Sequence, residues 1–279
     1  MIPIFIQSFK GSHKLYGLTR RLKKLKLKYK IIYSLNLTKS NKKKISKKIY
    51  DSKKAYQNLG REMGGGEIAC AYGHMKIYKY IVKKNIHRAI IFEDDAWPTN
   101  EFVSWYKKKI KYNDIDILSF ISTSGHVKKE TQNFTKYKVH KYVSHFNGTA
   151  AYLINLKSCK KILKLSKGPI VMVADWPINL IKNNIRSAII LPYIVKLVKQ
   201  NSSYLEKERN KLINAFFIKK IIPHFILDFF LTFYYLLYIP YILRRYQNLD
   251  IYEEQFVNKR IIRIKNFFTK NYIKVGYNN

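Results

Sequence analysis

The sequence predicts an α/β fold, a central sheet flanked by helices. Two observations carry that expectation: strand-like apolar runs alternate with helix-spaced ones as far as about residue 200, and one run is apolar on both of its faces. A length of 279 residues suits one catalytic core with a short appendage. Residues 2–9 are apolar and β-rich until Gly11-Ser12 breaks the run. Residues 15–27 carry Leu at helical spacing, and residues 30–35 read as a second strand. Strand, helix, strand is the opening of a doubly wound sheet. Residues 41–58 are polar and Lys-rich, a surface helix or a mobile insertion, and Gly64-Gly65-Gly66 marks a turn or a close backbone approach. From residue 67 to 84, Ile68, Tyr72, Met75, Tyr78 and Val82 recur at steps of three and four, the stripe of a core-facing helix. The apolar run that follows, Ala89 to Phe92, reads as a central strand covered on both faces, and it ends abruptly in Glu93-Asp94-Asp95. Further strands are expected at 115–121, 149–154 and 187–191, with a helix at 158–165.

Composition narrows the partners. With 54 Lys+Arg against 17 Asp+Glu, the formal charge is +37, which draws polyanions: nucleic acid, anionic lipid or phosphorylated substrates. The charge alone does not choose among them, and part of it reads as solvated Lys-rich surface. Cys70 and Cys159 have no metal-ligand spacing and form no disulfide framework, which fits a reducing compartment. The opening Met1 to Gln7 is too short for a signal peptide and has no basic leader, so a cytoplasmic catalytic domain is expected.

The acidic triplet points to chemistry. Three consecutive carboxylates at a strand end repel one another unless cations or solvent neutralise them. Ligands of open α/β sheets bind just outside the carboxyl ends of strands. If the segment stays extended, Glu93 and Asp95 face one side and Asp94 the other, a geometry suited to a divalent ion bridging two phosphates. A solvated turn closed by Trp97-Pro98 is the structural alternative.

Two blocks, Gly66-Glu67-Ile68-Ala69-Cys70-Ala71-Tyr72-Gly73-His74 and Ala89-Ile90-Ile91-Phe92-Glu93-Asp94-Asp95-Ala96, together resemble glycosyltransferase family 25, which includes bacterial lipooligosaccharide galactosyltransferases. Weaker similarity extends to about residue 199 through Gly148 to Ile154 and Ala174-Asp175-Trp176-Pro177. The resemblance implies a GT-A-like, Rossmann-type mixed sheet flanked by helices, a UDP-sugar donor, commonly UDP-galactose, a Mn²⁺ or Mg²⁺ cofactor, and inversion at the anomeric carbon. By position, Glu93 and Asp95 match the acidic motif around nucleotide and metal, and Asp175 matches the Asp of the later motif. Two positions depart from the family pattern: Gly73 stands where a Ser usually precedes the His, and Gln7-Ser8 where Asn-Leu follows the first strand.

The site residues expected from these readings are Asp95 and Glu93 for metal, Glu93, Asp94, His74, Glu67 and Asn147 for donor, and Asp175 for catalysis. Asp175 reads as the base for the acceptor hydroxyl, as a metal or donor contact, or as a helix N-cap before Trp176-Pro177. His74 reads as a ligand or as ordinary core, and Glu67 as a donor contact or as an acid favoured at a helix start. His126, His140 and His145 fall in a polar, loop-like stretch.

Two regions are expected: residues 1–204 as catalytic domain, and residues 205–279 as a helical, aromatic and basic appendage. Residues 225–243 are aromatic and nearly uncharged between Lys219-Lys220 and Arg244-Arg245. Asp228 and Pro240 weaken a transmembrane reading, and an interfacial helix or a homo-oligomer contact fits. The expected protein therefore works at the inner face of the cytoplasmic membrane, moving a hexose from a UDP-sugar to a lipooligosaccharide or related glycan acceptor. It is held there by anionic lipid, and nucleic acid is not its partner. Rival readings are a metal-dependent nuclease or nucleotidyltransferase, and a non-enzymatic basic binder of membrane or nucleic acid.

Overall fold

The computed structural model describes residues 2–37, 45–59, 61–108, 114–134, 137–198 and 272–275. Strand β1 (Ile4–Ser8) leads into helix α1 (His13–Lys24) and strand β2 (Lys30–Tyr33), and β1 pairs in parallel with β2. Helix α2 (Ser52–Leu59) lies in the Lys-rich stretch, followed by helix α3 (Gly65–Lys83) and strand β3 (Arg88–Glu93). A short strand β4 (Ala96–Pro98) and helix α4 (Asn100–Lys107) come next, then strands β5 (Ile117–Ser119), β6 (Gly125–Phe134), β7 (Tyr137–Tyr142) and β8 (Ala151–Asn155). Helix α5 (Leu156–Leu165) and strands β9 (Ser187–Leu191), β10 (Val195–Leu197) and β11 (Tyr272–Val275) complete the described chain.

Among the described residues the main sheet has the order β11-β6-β7-β9-β5-β8-β3-β1-β2, and β10 pairs with β4 in a separate ribbon. The pairs β1/β2, β1/β3 and β5/β9 are parallel, whereas β8 runs antiparallel to both β3 and β5. The architecture is therefore the expected mixed sheet flanked by helices. Its core follows the two-residue period of a strand. Ile4 and Ile6 of β1, with Ile90 and Phe92 of β3, pack on Leu18 and Leu22 of α1 and on Phe102 and Trp105 of α4. The intervening Phe5, Ala89 and Ile91 pack on the opposite face, against Ile77, Tyr78 and Ile81 of α3 and Cys159 and Ile162 of α5. Burial on both faces is why β3 reads as an unbroken apolar run.

Helix starts are set locally. Asn155 caps α5 by accepting from the Ser158 N–H at 2.8 Å, and Thr99 caps α4 from the Phe102 N–H at 3.4 Å. Helix α3 lies very close to β1, since a Cβ at Gly73 would come within 2.5 Å of Gln7 Cγ. Gln7 fills the space where a side chain at position 73 would project, so any larger residue there has to displace the Gln7 side chain.

Several expectations are corrected. The loop-like stretch holding His126 and His140 is a pair of sheet strands, β6 and β7, and both imidazoles are buried. In β7, exposed Lys138 and Lys141 interrupt buried Tyr137, Val139, His140 and Tyr142, so the polar letters hid the strand. The described residues 176–198 that follow Asp175 hold no helix, so Asp175 does not cap one there. Within residues 205–279 the described stretch Tyr272–Val275 is not helical: it extends the sheet antiparallel to β6, with Val275 in the core. The remainder of the expected appendage, including the aromatic segment 225–243, lies outside the described residues. Among the described residues no helix is long and apolar enough to cross a membrane.

Candidate active site

The parallel strands β1 and β3 end side by side, with Gln7 opposite Glu93 in register. Beyond their carboxyl ends opens a pocket of about 240 Å³ whose wall includes Gln7, Ser8, Ser12, Lys14, Cys70 and all three carboxylates of the triplet. Sheet order explains the location, because β1 continues to β2 on one side and β3 meets antiparallel β8 on the other.

The triplet does not stay extended. β3 ends at Glu93, and Asp94 and Asp95 form the turn into β4, so the two-residue period lapses and all three acids reach the same pocket. They are held differently. Asp94 Oδ2 accepts from the hydroxyls of Ser8 and Ser12, each at 2.6 Å, which ties the turn to the start of α1. Glu93 Oε1 accepts from Thr149 Oγ1 at 2.7 Å and faces His74 Nε2 at 3.1 Å. Burial alone would raise the Glu93 carboxyl, but hydrogen bonds from His74, Thr149 and Cys70 hold it below the ordinary range.

Asp95 has the opposite electrostatics. Burial first, and then the neighbouring Glu93 and Asp94 charges, push its carboxyl up to about 6, with Lys14 offsetting part of the rise. The Lys14 ammonium is 3.6 Å from Asp95 Oδ2, whereas Oδ1 is buried and accepts no hydrogen bond from any of the described residues. A buried carboxylate oxygen with no donor, among like charges, is the environment a divalent cation relieves. The donor set therefore fits a metal at Asp95 Oδ1, with Glu93 at its side.

His74 lies on α3 and is buried. Its Nδ1 is 2.8 Å from the Tyr152 hydroxyl, which is 2.6 Å from the Tyr78 hydroxyl. With the carboxylate facing Nε2, the consistent assignment has Nε2–H donating to Glu93 and Nδ1 accepting from Tyr152. Asp175 adjoins the same network: its Oδ1 accepts from the Gly148 N–H at 2.9 Å and lies 3.4 Å from Thr149 Oγ1, whose proton goes to Glu93. Gly148 has φ +117, and a Cβ there would meet the Ser122 Cα at 3.1 Å, so glycine is required where the backbone turns its N–H to Asp175. The next residue, Trp176, holds φ +64 with its indole buried between Phe146 and Tyr152.

The structure thus gathers Glu93, Asp94, Asp95, His74 and Asp175 at one end of the sheet, the last two just outside the pocket wall. Asn147 precedes Gly148, with its backbone carbonyl accepting from Thr123 N–H and Ser122 Oγ. Glu67 is placed otherwise. Its oxygens accept a two-pronged guanidinium contact from Arg61 at 2.8 Å each, and Oε2 also caps the Gly64 N–H at the start of α3 at 3.0 Å. These contacts make it the clamp of the helix start. Sequence reasoning missed Thr149, Tyr152, Ser8, Ser12 and Cys70. Only the hydroxyl residues flanking Gly11 at the end of β1 carried a readable signal, as partners for an anion.

The profile of the family described as glycosyltransferase family 25 (LPS biosynthesis protein) matches residues 1–176. No curated protein matches the chain. Among solved structures, A197 from STIV is 11% identical and matches over 72% of this chain and 87% of its own, with a TM-score of 0.40. A glycosyltransferase involved in glycosylation of the major capsid of PBCV-1 is 8% identical over 59% of this chain and 67% of its own, with a TM-score of 0.29. The inositol-1-phosphate CTP transferase from T. maritima is 10% identical over 75% and 97%, with a TM-score of 0.40.

Proposed function

The chain belongs to glycosyltransferase family 25, and from that premise we propose that it moves a hexose, galactose from UDP-galactose, onto a lipooligosaccharide or related glycan hydroxyl with inversion. The observation that carries this reading is the Oδ1 of Asp95, buried and without a hydrogen-bond partner among the described residues, in a pocket at the tips of β1 and β3. Asp95, with Glu93, would hold Mn²⁺ or Mg²⁺. When bound, such a cation supplies Lewis-acid neutralisation of the departing diphosphate.

The chain's own residues supply the rest. Asp94 and the hydroxyls of Ser8 and Ser12 fix the turn that presents Asp95, and Lys14 at the rim adds positive charge where the diphosphate enters. Asp175 is the base: it takes the proton of the acceptor hydroxyl as that oxygen bonds to the anomeric carbon and the bond to the diphosphate breaks. The Gly148 N–H orients its carboxylate. The Thr149 proton goes to Glu93 at 2.7 Å while its oxygen stands 3.4 Å from Asp175, so the hydroxyl lies between the base and the end of β3. Asn147, one residue from this junction, is the candidate sugar contact.

The basic surface and the aromatic segment 225–243 fit a glycolipid acceptor, since attraction to anionic lipid keeps enzyme and acceptor on one plane. The test is Asp175→Asn. A rate loss of about a hundred- to ten-thousand-fold with UDP affinity retained supports the base assignment; near-normal turnover in a folded variant removes it.

A further inference from the structure

Cys70 lines the pocket and has no part in the proposed transfer. It lies one helical turn before His74 on α3, so the two side chains share a face, and Glu93 approaches from the neighbouring strand. One ligand atom from each of Cys70, His74 and Glu93 lies within 4.8 Å of the others. We propose that Cys70, His74 and Glu93 form a second metal site, selective for a thiophilic divalent cation such as Zn²⁺, whose occupation competes with the transferase arrangement. The proposal rests on the transferase reading only for its consequence; the site itself stands on these three side chains.

Ligand chemistry distinguishes this site from the one at Asp95. A carboxylate oxygen suits Mg²⁺ or Mn²⁺, whereas thiolate, imidazole and carboxylate together suit zinc, with a fourth position left open. Cys70 and Glu93 both line the pocket, so a metal held there would be reached from it. Tetrahedral zinc holds a sulfur and a nitrogen ligand roughly 3.6 Å apart. The cluster therefore needs to contract by about an ångström at most, within the reach of side-chain rotation. With zinc on Nε2 the His74 ring takes the other tautomer, in which Nδ1–H donates to the Tyr152 hydroxyl at 2.8 Å, the kind of outer partner that orients a metal-bound imidazole.

Electrostatics favour a cation over a bare thiolate. Glu93, Asp175 and Asp95 surround the Cys70 side chain with negative charge. The same negative field attracts a dication, which displaces the thiol proton to solvent as it binds. Occupation has a cost for transfer. Zinc on Nε2 removes the His74 to Glu93 hydrogen bond, and zinc on Glu93 draws that carboxylate from Thr149, the hydroxyl that lies beside Asp175.

Co²⁺ is the spectroscopic probe, since a cysteine thiolate bound to it gives a ligand-to-metal charge-transfer band. The full-length chain, reduced and metal-free, is titrated with Co²⁺ and then with Zn²⁺. The expected result is a thiolate band that Zn²⁺ displaces, that Cys159→Ser retains and that Cys70→Ser abolishes, with Zn²⁺ affinity in Cys70→Ser lowered at least tenfold. His74→Gln, checked for folding by its near-ultraviolet circular dichroism, should weaken the band. A wild-type titration without a thiolate band, or a band that survives Cys70→Ser, overturns the proposal. Mn²⁺-dependent UDP binding, measured separately on the same samples, reports on the transferase reading, so the two can fail independently.

Discussion

Asp95→Asn should make the protein more stable at neutral pH while removing its response to Mn²⁺. The folded chain raises the Asp95 carboxyl from 3.8 to about 6, which corresponds to about 3 kcal/mol of disfavoured ionisation. Because the side chain is 31% exposed, solvent screening reduces that figure to about 1 kcal/mol. Losing the partly exposed 3.6 Å contact to Lys14 costs a few tenths of a kcal/mol, so the net gain is somewhat under ~1 kcal/mol, or roughly 2 °C in Tm. The sign follows from linkage. Between about pH 4 and about pH 6 the folded state binds more protons at this group than the unfolded chain, so the parent protein loses stability as pH rises through that window. Thermal unfolding of parent and variant at pH 7.5 and near pH 4 checks this: the variant should be ahead at the higher pH and level at the lower. Mn²⁺ at tenfold its Kd should then stabilise the parent by about 1.4 kcal/mol and leave the variant unmoved. A variant less stable than the parent at pH 7.5, or one stabilised equally by Mn²⁺, would refute the view of Asp95 as a strained, cation-binding carboxylate.

The remaining predictions concern packing, the helix clamp and the membrane. Gly73→Ala forces the new Cβ onto the Gln7 side chain and should destabilise by about 1–3 kcal/mol; combining it with Gln7→Ala should recover much of the loss in denaturant melts. Glu67→Gln loosens the Arg61 clamp and the start of α3, lowering stability by about 1–3 kcal/mol, with UDP affinity unchanged in calorimetry because the carboxylate faces the helix end. Replacing Phe229, Phe230, Phe233 and Tyr234 with Ser should abolish sedimentation with anionic vesicles; unchanged sedimentation would remove the interfacial reading of that segment.

The half of the fold around the site was legible because it obeys simple periods. β1 and β3 alternate cleanly between two helical layers, and α3 is a core-facing helix as expected. Its buried face, however, runs through Ile68, Ala71, His74, Ile77, Tyr78 and Ile81, with Tyr72, Met75 and Val82 of the expected stripe only half-buried. The hairpin of β6 and β7 was not legible, because Lys138 and Lys141 point outward from a strand whose buried positions include a histidine, and no hydropathy pattern scores His140 as core. At the site, the sequence located the triplet and Asp175 but not their division of labour. That division depends on contacts from distant segments: Ser8 and Ser12 reach Asp94 across more than eighty residues, and Thr149 reaches Glu93 across 56. The turn after Glu93 also voided the alternation argument, since a two-residue period holds only while the chain stays extended. Glu67 shows the converse: a polar residue at the mouth of a Gly-rich turn reads as ligand-binding until Arg61, six residues earlier, is seen to take both of its oxygens.

The most direct measurement is calorimetric titration of UDP into the metal-free chain, with and without Mn²⁺. A buried carboxylate oxygen awaiting a cation predicts UDP binding that requires Mn²⁺ and disappears in Asp95→Asn. UDP affinity that is the same without the metal, or that Asp95→Asn leaves intact, would contradict the account at its base.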